Sequence, residues 1–146
     1  MEENKDVMIT IKSSQLIDGT ENDGSELITQ GKYYYRDGTI LFSYTESDLT
    51  GLDGTQTMFL IKPGEVVLSR KGAVNSRMVF RPGENNRFSY QTEYGVLHLG
   101  LDTRRLDCAL DEHGGSMEIE YDLDFERSLY SRNSFKINVK EKELKS

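Results

Sequence analysis

The segment from Met117 to Glu126 alternates without a break. Met117, Ile119, Tyr121, Leu123 and Phe125 are apolar, and the residues between them, Glu118, Glu120, Asp122, Asp124 and Glu126, are all acidic. A period of two sends successive side chains to opposite faces, so this segment is a strand with one face in a core and the other in water. A helix would scatter the same residues around its circumference. The same period recurs along the chain, and no ten-residue stretch carries a convincing 3.6-residue stripe. Thirteen glycines, eight tyrosines and six phenylalanines against two prolines suit a β-rich chain with many turns.

Ten strands follow from this reading. Val7 to Ile17 is the first, ended by the polar turn Asp18–Gly24. Glu26 to Arg36 is the second, with Gly31 as a bend. Asp37-Gly38 then marks a type I′ hairpin, because glycine accepts positive φ. Thr39 to Glu46 is followed by a polar loop, Ser47–Gly54, and by Thr55 to Lys62. Pro63-Gly64 stops that strand, and Glu65 to Lys71, Asn75 to Arg81, Arg87 to Thr92 and Val96 to Leu110 succeed it. In the last of these the apolar parity changes: Leu97, Leu99, Leu101 and Thr103 are odd, whereas Leu106, Cys108 and Leu110 are even. One extra residue near Arg104-Arg105, a β-bulge, restores a single inner face. After the acidic-faced strand, Ser131–Asn133 reads as a turn and Phe135, Ile137 and Val139 as the inner face of the final strand. Lys136 and Lys140 are expected to lie against the acidic row. Tight connections without crossover helices predict an all-β antiparallel meander. An open sheet of this length leaves one apolar face bare, so the meander is expected to close into an eight- to ten-stranded barrel.

A chain of 146 residues is expected to form one domain, residues 1–146. At that size roughly two thirds of the unfolded surface is buried, and no disulfide or metal staple is needed. The single cysteine, Cys108, forms no intramolecular disulfide, which suits a reducing compartment. Its place between Leu106 and Leu110 predicts an inert, buried thiol. Met1–Asp6 is acidic and lacks the basic and apolar regions of a secretory signal. No apolar run approaches the length of a spanning helix. A cytoplasmic protein without membrane contact is therefore expected. The net charge of −7 opposes general binding to phosphate backbones.

The chain resembles the YwiB-like family of uncharacterised bacterial proteins. The matching stretches are Gly31-Lys-Tyr-Tyr34, Ser43-Tyr-Thr-Glu46, Ser69-Arg-Lys-Gly72, Tyr90-Gln-Thr-Glu-Tyr-Gly95, Thr103 and Ile119-Glu-Tyr-Asp-Leu123. They run through most of the chain in the family's order, and none is a catalytic motif. The resemblance implies a calycin-like (lipocalin-type) barrel and carries no activity. The long loop after Glu46 departs from the family pattern.

In a meander, alternate strands end at the same mouth. The apolar parity brings Glu46, Arg70 and Thr92 to one such mouth, with Tyr44 and Tyr90 a layer deeper. An apolar cup with a guanidinium, a carboxylate, phenols and a hydroxyl is how small-ligand sites are built. Tyr44, Glu46, Arg70, Tyr90 and Thr92 are thus the candidate ligand-binding residues for a small polar or anionic ligand. Against this stands a filled barrel in which Arg70 and Glu46 simply pair, the protein then serving as a protein–protein or homodimer scaffold. A weaker alternative is an RNA-associated protein. Among the five basic residues of the middle strands, Arg70, Lys71, Arg77, Arg81 and Arg87, the outer members would form a basic stripe, with Phe88 or Tyr90 as stacking platforms. No catalytic, cofactor or metal signature is present. His98 and His113 have no zinc spacing, Asp18–Glu26 lacks EF-hand register, and there is no nucleophile elbow, phosphate-cradling loop or dinucleotide fingerprint. Paired carboxylates facing water have no cause to shift their pKa for acid–base work. An enzyme is not expected.

Overall fold

A computed structural model of the chain describes residues 5–17, 20–22, 26–46, 52–125 and 128–142. Its elements are β1 (Lys5–Ile17), β2 (Thr20–Asn22), β3 (Glu26–Arg36), β4 (Thr39–Thr45), β5 (Gln56–Lys62) and β6 (Glu65–Lys71). They continue with β7 (Val74–Phe80), β8 (Asn85–Thr92), β9 (Gly95–Asp111), β10 (Gly114–Phe125) and β11 (Ser128–Glu141). From β3 onward each strand pairs antiparallel with the next, and β1 pairs with both β3 and β11. The β1–β11 ladder runs from Val7↔Glu141 to Leu16↔Arg132 and closes a ten-stranded antiparallel barrel. Closure removes the free edges that an open meander would expose.

The short β2 pairs with Gln15–Ile17 of β1, beyond the reach of β3 on the same edge. The polar turn expected at Asp18–Gly24 therefore contains a strand at Thr20–Asn22, its other residues lying outside those described. Of the polar loop after Glu46, residues 47–51 also lie outside them. Asp37 and Gly38 have φ of 49° and 82°, the left-handed pair that a type I′ hairpin requires.

The predicted bulge is present. Glu120 pairs with Arg105 and Tyr121 with Thr103, so Arg104 is the extra residue of β9. It keeps Leu101 and Thr103 on one side of the bulge and Leu106 on the other facing the same way. A second irregularity lies between Leu123↔Ser131 and Asp124↔Leu129. Here the expectation of a turn at Ser131–Asn133 is overturned: these residues are inside β11, and Ser131 is buried. A bulge accommodates the polar run without breaking the strand. Lys136 does meet Glu118 across the β10–β11 ladder, at 3.8 Å, whereas Lys140 is opposite Gly114.

The inward side chains form rows across β4 to β7. Ile40, Ile61, Val66 and Phe80 make one row, and Phe42, Phe59, Leu68 and Met78 the next. These side chains are nearly all buried to within a few per cent of their surface. Phe42 stacks on Phe59 at 4.8 Å and on Tyr33 at 6.2 Å between ring centroids. Gly31 leaves room for β3 to bend over this core. A Cβ at Gly31 would collide with the carbonyl oxygen of Ser43 and with Cδ1 of Ile9. Because the backbone atom cannot step aside, Gly31→Ala is expected to cost about 1–3 kcal/mol. Urea unfolding checks this, and an unchanged midpoint would refute the packing argument.

Candidate functional site

The third inward row is different in kind. Tyr44 pairs with Thr57, Thr57 with Arg70, and Arg70 with Ser76, so four polar side chains stand side by side above two apolar rows. Each lies on the parity that elsewhere carries Phe, Leu, Ile or Met. The strands leave them no other face, because a one-residue slip would expose every apolar partner.

Glu46 stands one row further out and is only 4% exposed. Its backbone N–H donates to Thr55 O at 2.8 Å, and its carboxylate accepts from Thr57 Oγ1 at 2.5 Å. Gly72 seals this corner: its φ of +148° and the close approach of Thr55 leave no space for a side chain, and Ala73 N–H donates to Thr55 Oγ1 at 3.0 Å. Burial, and then the Glu46 carboxylate, hold the Tyr44 phenol above the ordinary tyrosine range. Burial does the same to Tyr121, with Arg70 acting in the opposite sense on both phenols. By register Arg70 lies on the inward parity, opposite Thr57 and Ser76.

Arg70 has no carboxylate within ion-pairing distance among the described residues, and its buried Nε has no hydrogen-bond partner. The Arg70–Glu46 pair expected of a filled barrel is thus not formed. Arg70 as a whole is only partly buried, and buried N–H donors such as this Nε are ordinarily hydrogen-bonded. Ser76 Oγ and Thr103 Oγ1 are likewise buried and unpartnered. The β7–β8 ladder stops one residue before Ser76: the two strands pair only at Val74↔Thr92 and Asn75↔Gln91. Further along this seam, Asn86 Nδ2 donates to Val79 O at 3.3 Å.

Of the five residues the sequence marks, Tyr44, Glu46 and Arg70 come together. Arg70 shares the row of Tyr44 rather than the rim row of Glu46. Tyr90 pairs with Leu97 and is half-buried. Thr92 is committed to its own hairpin, where its Oγ1 accepts from Tyr94 N–H at 3.1 Å and donates to Gly95 O at 3.3 Å. It borders an open rim cleft of about 570 Å³, lined also by Leu52, Val74 and Tyr94. Thr57, Ser76 and Thr103 escape the sequence reading. Their signal is a hydroxyl on an otherwise apolar parity.

Other expectations change. Cys108 is exposed, not buried. It has the inward parity, but β9 outruns β8 beyond Asp102, so the thiol opens onto a cleft of about 320 Å³ at the opposite barrel end, beside Ile40, Ile61 and Leu110. Of the five basic residues, Arg70 has the inward parity, Arg81 binds Glu65 at 2.7 Å, and Arg87 meets Asp124 at 3.7 Å. Among the described residues no cluster of His, Cys, Asp or Glu has the arrangement to hold a metal ion, and no helix is long and apolar enough to cross a membrane.

Fold and site together define a closed antiparallel β-barrel with an inward row of polar side chains near one end. The chain belongs to the family described as domain of unknown function DUF1934, whose model matches residues 9–137. It is similar to the uncharacterised beta-barrel protein YwiB of Bacillus subtilis strain 168, with 31% identity over 107 residues, covering 70% of this chain and 74% of that protein. The crystal structure of the Bacillus subtilis YwiB protein superimposes with a TM-score of 0.83 at 25% identity, covering 96% of this chain and 94% of that one.

Proposed function

We propose that the protein is a non-enzymatic binding module of the calycin (lipocalin-like) type, working in the cytoplasm, that takes a small polar ligand into the chamber beside Tyr44, Glu46 and Arg70. Tyr90 and Thr92 then border the entrance. The observation that carries this reading is the buried, unpartnered Nε of Arg70. A buried N–H donor is ordinarily hydrogen-bonded, and a ligand held against Arg70 would supply the acceptor. The walls supply apolar surface through Phe80 and Tyr121, whose rings meet edge to face at 5.0 Å.

Arg70→Met tests this reading. Breaking a buried ion pair would cost about 3–5 kcal/mol, whereas removing a cation kept for a ligand is expected to change stability by less than about 1 kcal/mol. Native mass spectrometry of protein purified gently from its host should show an added mass on the wild type and none on the variant. A large loss of stability, with bare protein in both spectra, would sink the proposal.

A second reading, a homodimer scaffold, is favoured by the β8–β9 hairpin tip. Tyr94 is 91% exposed there, with Val96 and Leu97 half exposed beside it. Such a cluster is suited to burial against a second copy. The same native spectra would read out that dimer directly.

A further inference from the structure

Closure of the barrel leaves one stretch of strand edge free. β9 pairs with β8 from Gly95 onward, but it meets β10 only from Gly100 onward. β10 ends at Phe125, which pairs with Ser128 of β11, so among the described residues Gly95 to Leu99 has a ladder on one side only. Gly95 to His98 are exposed, and Leu99 to Leu101 behind them are buried. The direction of the free backbone groups follows from Thr103. Its N–H donates to Glu84 O at 3.5 Å and its carbonyl accepts from Gly83 N–H at 3.2 Å, both on the β8 side. Successive residues of a strand turn these groups to opposite sides. The N–H and C=O groups of Val96 and His98 therefore face away from β8, where no strand receives them. The stretch Gly95-Val-Leu-His-Leu99 contains no proline, lysine or acid, the residues that ordinarily blunt an edge.

We infer that this edge of β9 pairs antiparallel with the same edge of a second copy of the chain. The inference rests on the homodimer reading and names the contact that makes the dimer. The free groups are symmetric about Leu97. When two such edges meet across a two-fold axis at Leu97, Val96 of each copy faces His98 of the other and exchanges both backbone bonds, so no donor or acceptor is left over. The two Leu97 side chains then meet at the closely spaced, non-hydrogen-bonded position. Leu97 and Phe125 have the inward parity, yet they are 49% and 42% exposed because the barrel wall ends at their level. With Tyr94 and Val96 they expose about 450 Å² per copy, so a pair covers about 900 Å² before backbone and rim are counted, near the roughly 1,000 Å² that a specific interface requires. The strip holds no acidic residue, which lets two chains of net charge −7 meet there.

Sedimentation of the full chain across micromolar concentrations should show a monomer–dimer equilibrium. Leu97→Cys, made together with Cys108→Ser so that one thiol remains, should form a covalent dimer on mild oxidation. The Cα atoms of a directly opposed, non-hydrogen-bonded pair lie about 4.5 Å apart, within disulfide reach. Arg77→Cys in the same background, exposed on β7 away from the edge, should stay monomeric under the same oxidation. His98→Pro removes one outward N–H from each copy and leaves the β8–β9 ladder intact, so the dissociation constant should rise about tenfold or more. Its melting temperature, taken at dilutions where both proteins are monomeric, should stay near that of the wild type. A dimer that persists in His98→Pro and resists crosslinking at Leu97 would overturn the edge pairing and leave the homodimer reading standing. A monomer at every concentration would overturn both. A different chain held on the gently purified protein and lost in His98→Pro would overturn the second copy as the occupant of this edge.

Discussion

Replacing Phe42 by alanine is expected to cost about 3–5 kcal/mol of stability. Phe42 is fully buried at the centre of the second apolar row, stacked between Tyr33 and Phe59. Truncation removes its transfer energy and leaves a cavity. The barrel wall has little freedom to collapse into it, because each strand is laddered on both sides. For a chain of this size, about 2–4 °C of melting temperature is lost per kcal/mol, so the transition should fall by about 6–20 °C. Denaturant melts give the energy directly, with an unchanged slope if the variant keeps the native barrel. A cost below about 1 kcal/mol would mean that this row is not the packed core described above.

Alkaline unfolding should be steep. The phenols of Tyr33, Tyr44 and Tyr121 are each held above the ordinary tyrosine range, chiefly by burial. Tyr33 also donates to the carbonyl of Asp111 at 2.7 Å, a bond that requires its proton. In the unfolded chain the same phenols give up their protons near pH 10. Above that pH the native state binds more protons than the unfolded state, so stability falls as pH rises, and below it these groups contribute no pH dependence. Three such groups remove up to about 4 kcal/mol per pH unit. A domain of ordinary stability then unfolds within about two to three units above pH 10. Tyrosinate absorbance should rise in two steps, the second coincident with loss of the strand circular dichroism. A complete titration with the strand signal intact would show that these phenols are not buried in solution.

The bulge at Arg104 shows how much a sequence of this kind carries. Parity is read residue by residue, so a single extra residue appears as an odd-to-even switch, and the ladder places it where the switch occurs. The hairpin at Asp37-Gly38 is equally local, because its backbone angles depend on two residues. Ser131–Asn133 shows where local reading fails. Polar residues in a strand look like a turn until the neighbouring ladders of β1 and β10 hold them in place.

Parity also marks Tyr44, Glu46 and Arg70 as inward, and the meander sends them to one mouth. What the chain's pattern does not contain is the alignment of one strand against the next. That register places Arg70 in the row of Tyr44 and Thr57 rather than beside Glu46, and opposes it to Ser76. It also takes β9 past the end of β8, so that Cys108 has an inward parity and an open surface.

The sequence by itself determined ten of the strands, their inner parity, the Asp37-Gly38 hairpin and the bulge, because each follows from backbone geometry acting over two or three residues. Only the tertiary structure decided that β1 meets β11, that Tyr44, Thr57, Arg70 and Ser76 share a row, and that Arg70 pairs with no carboxylate among the described residues. Those depend on contacts between residues far apart in the chain, fixed when the barrel closes and all the ladders settle into a single register.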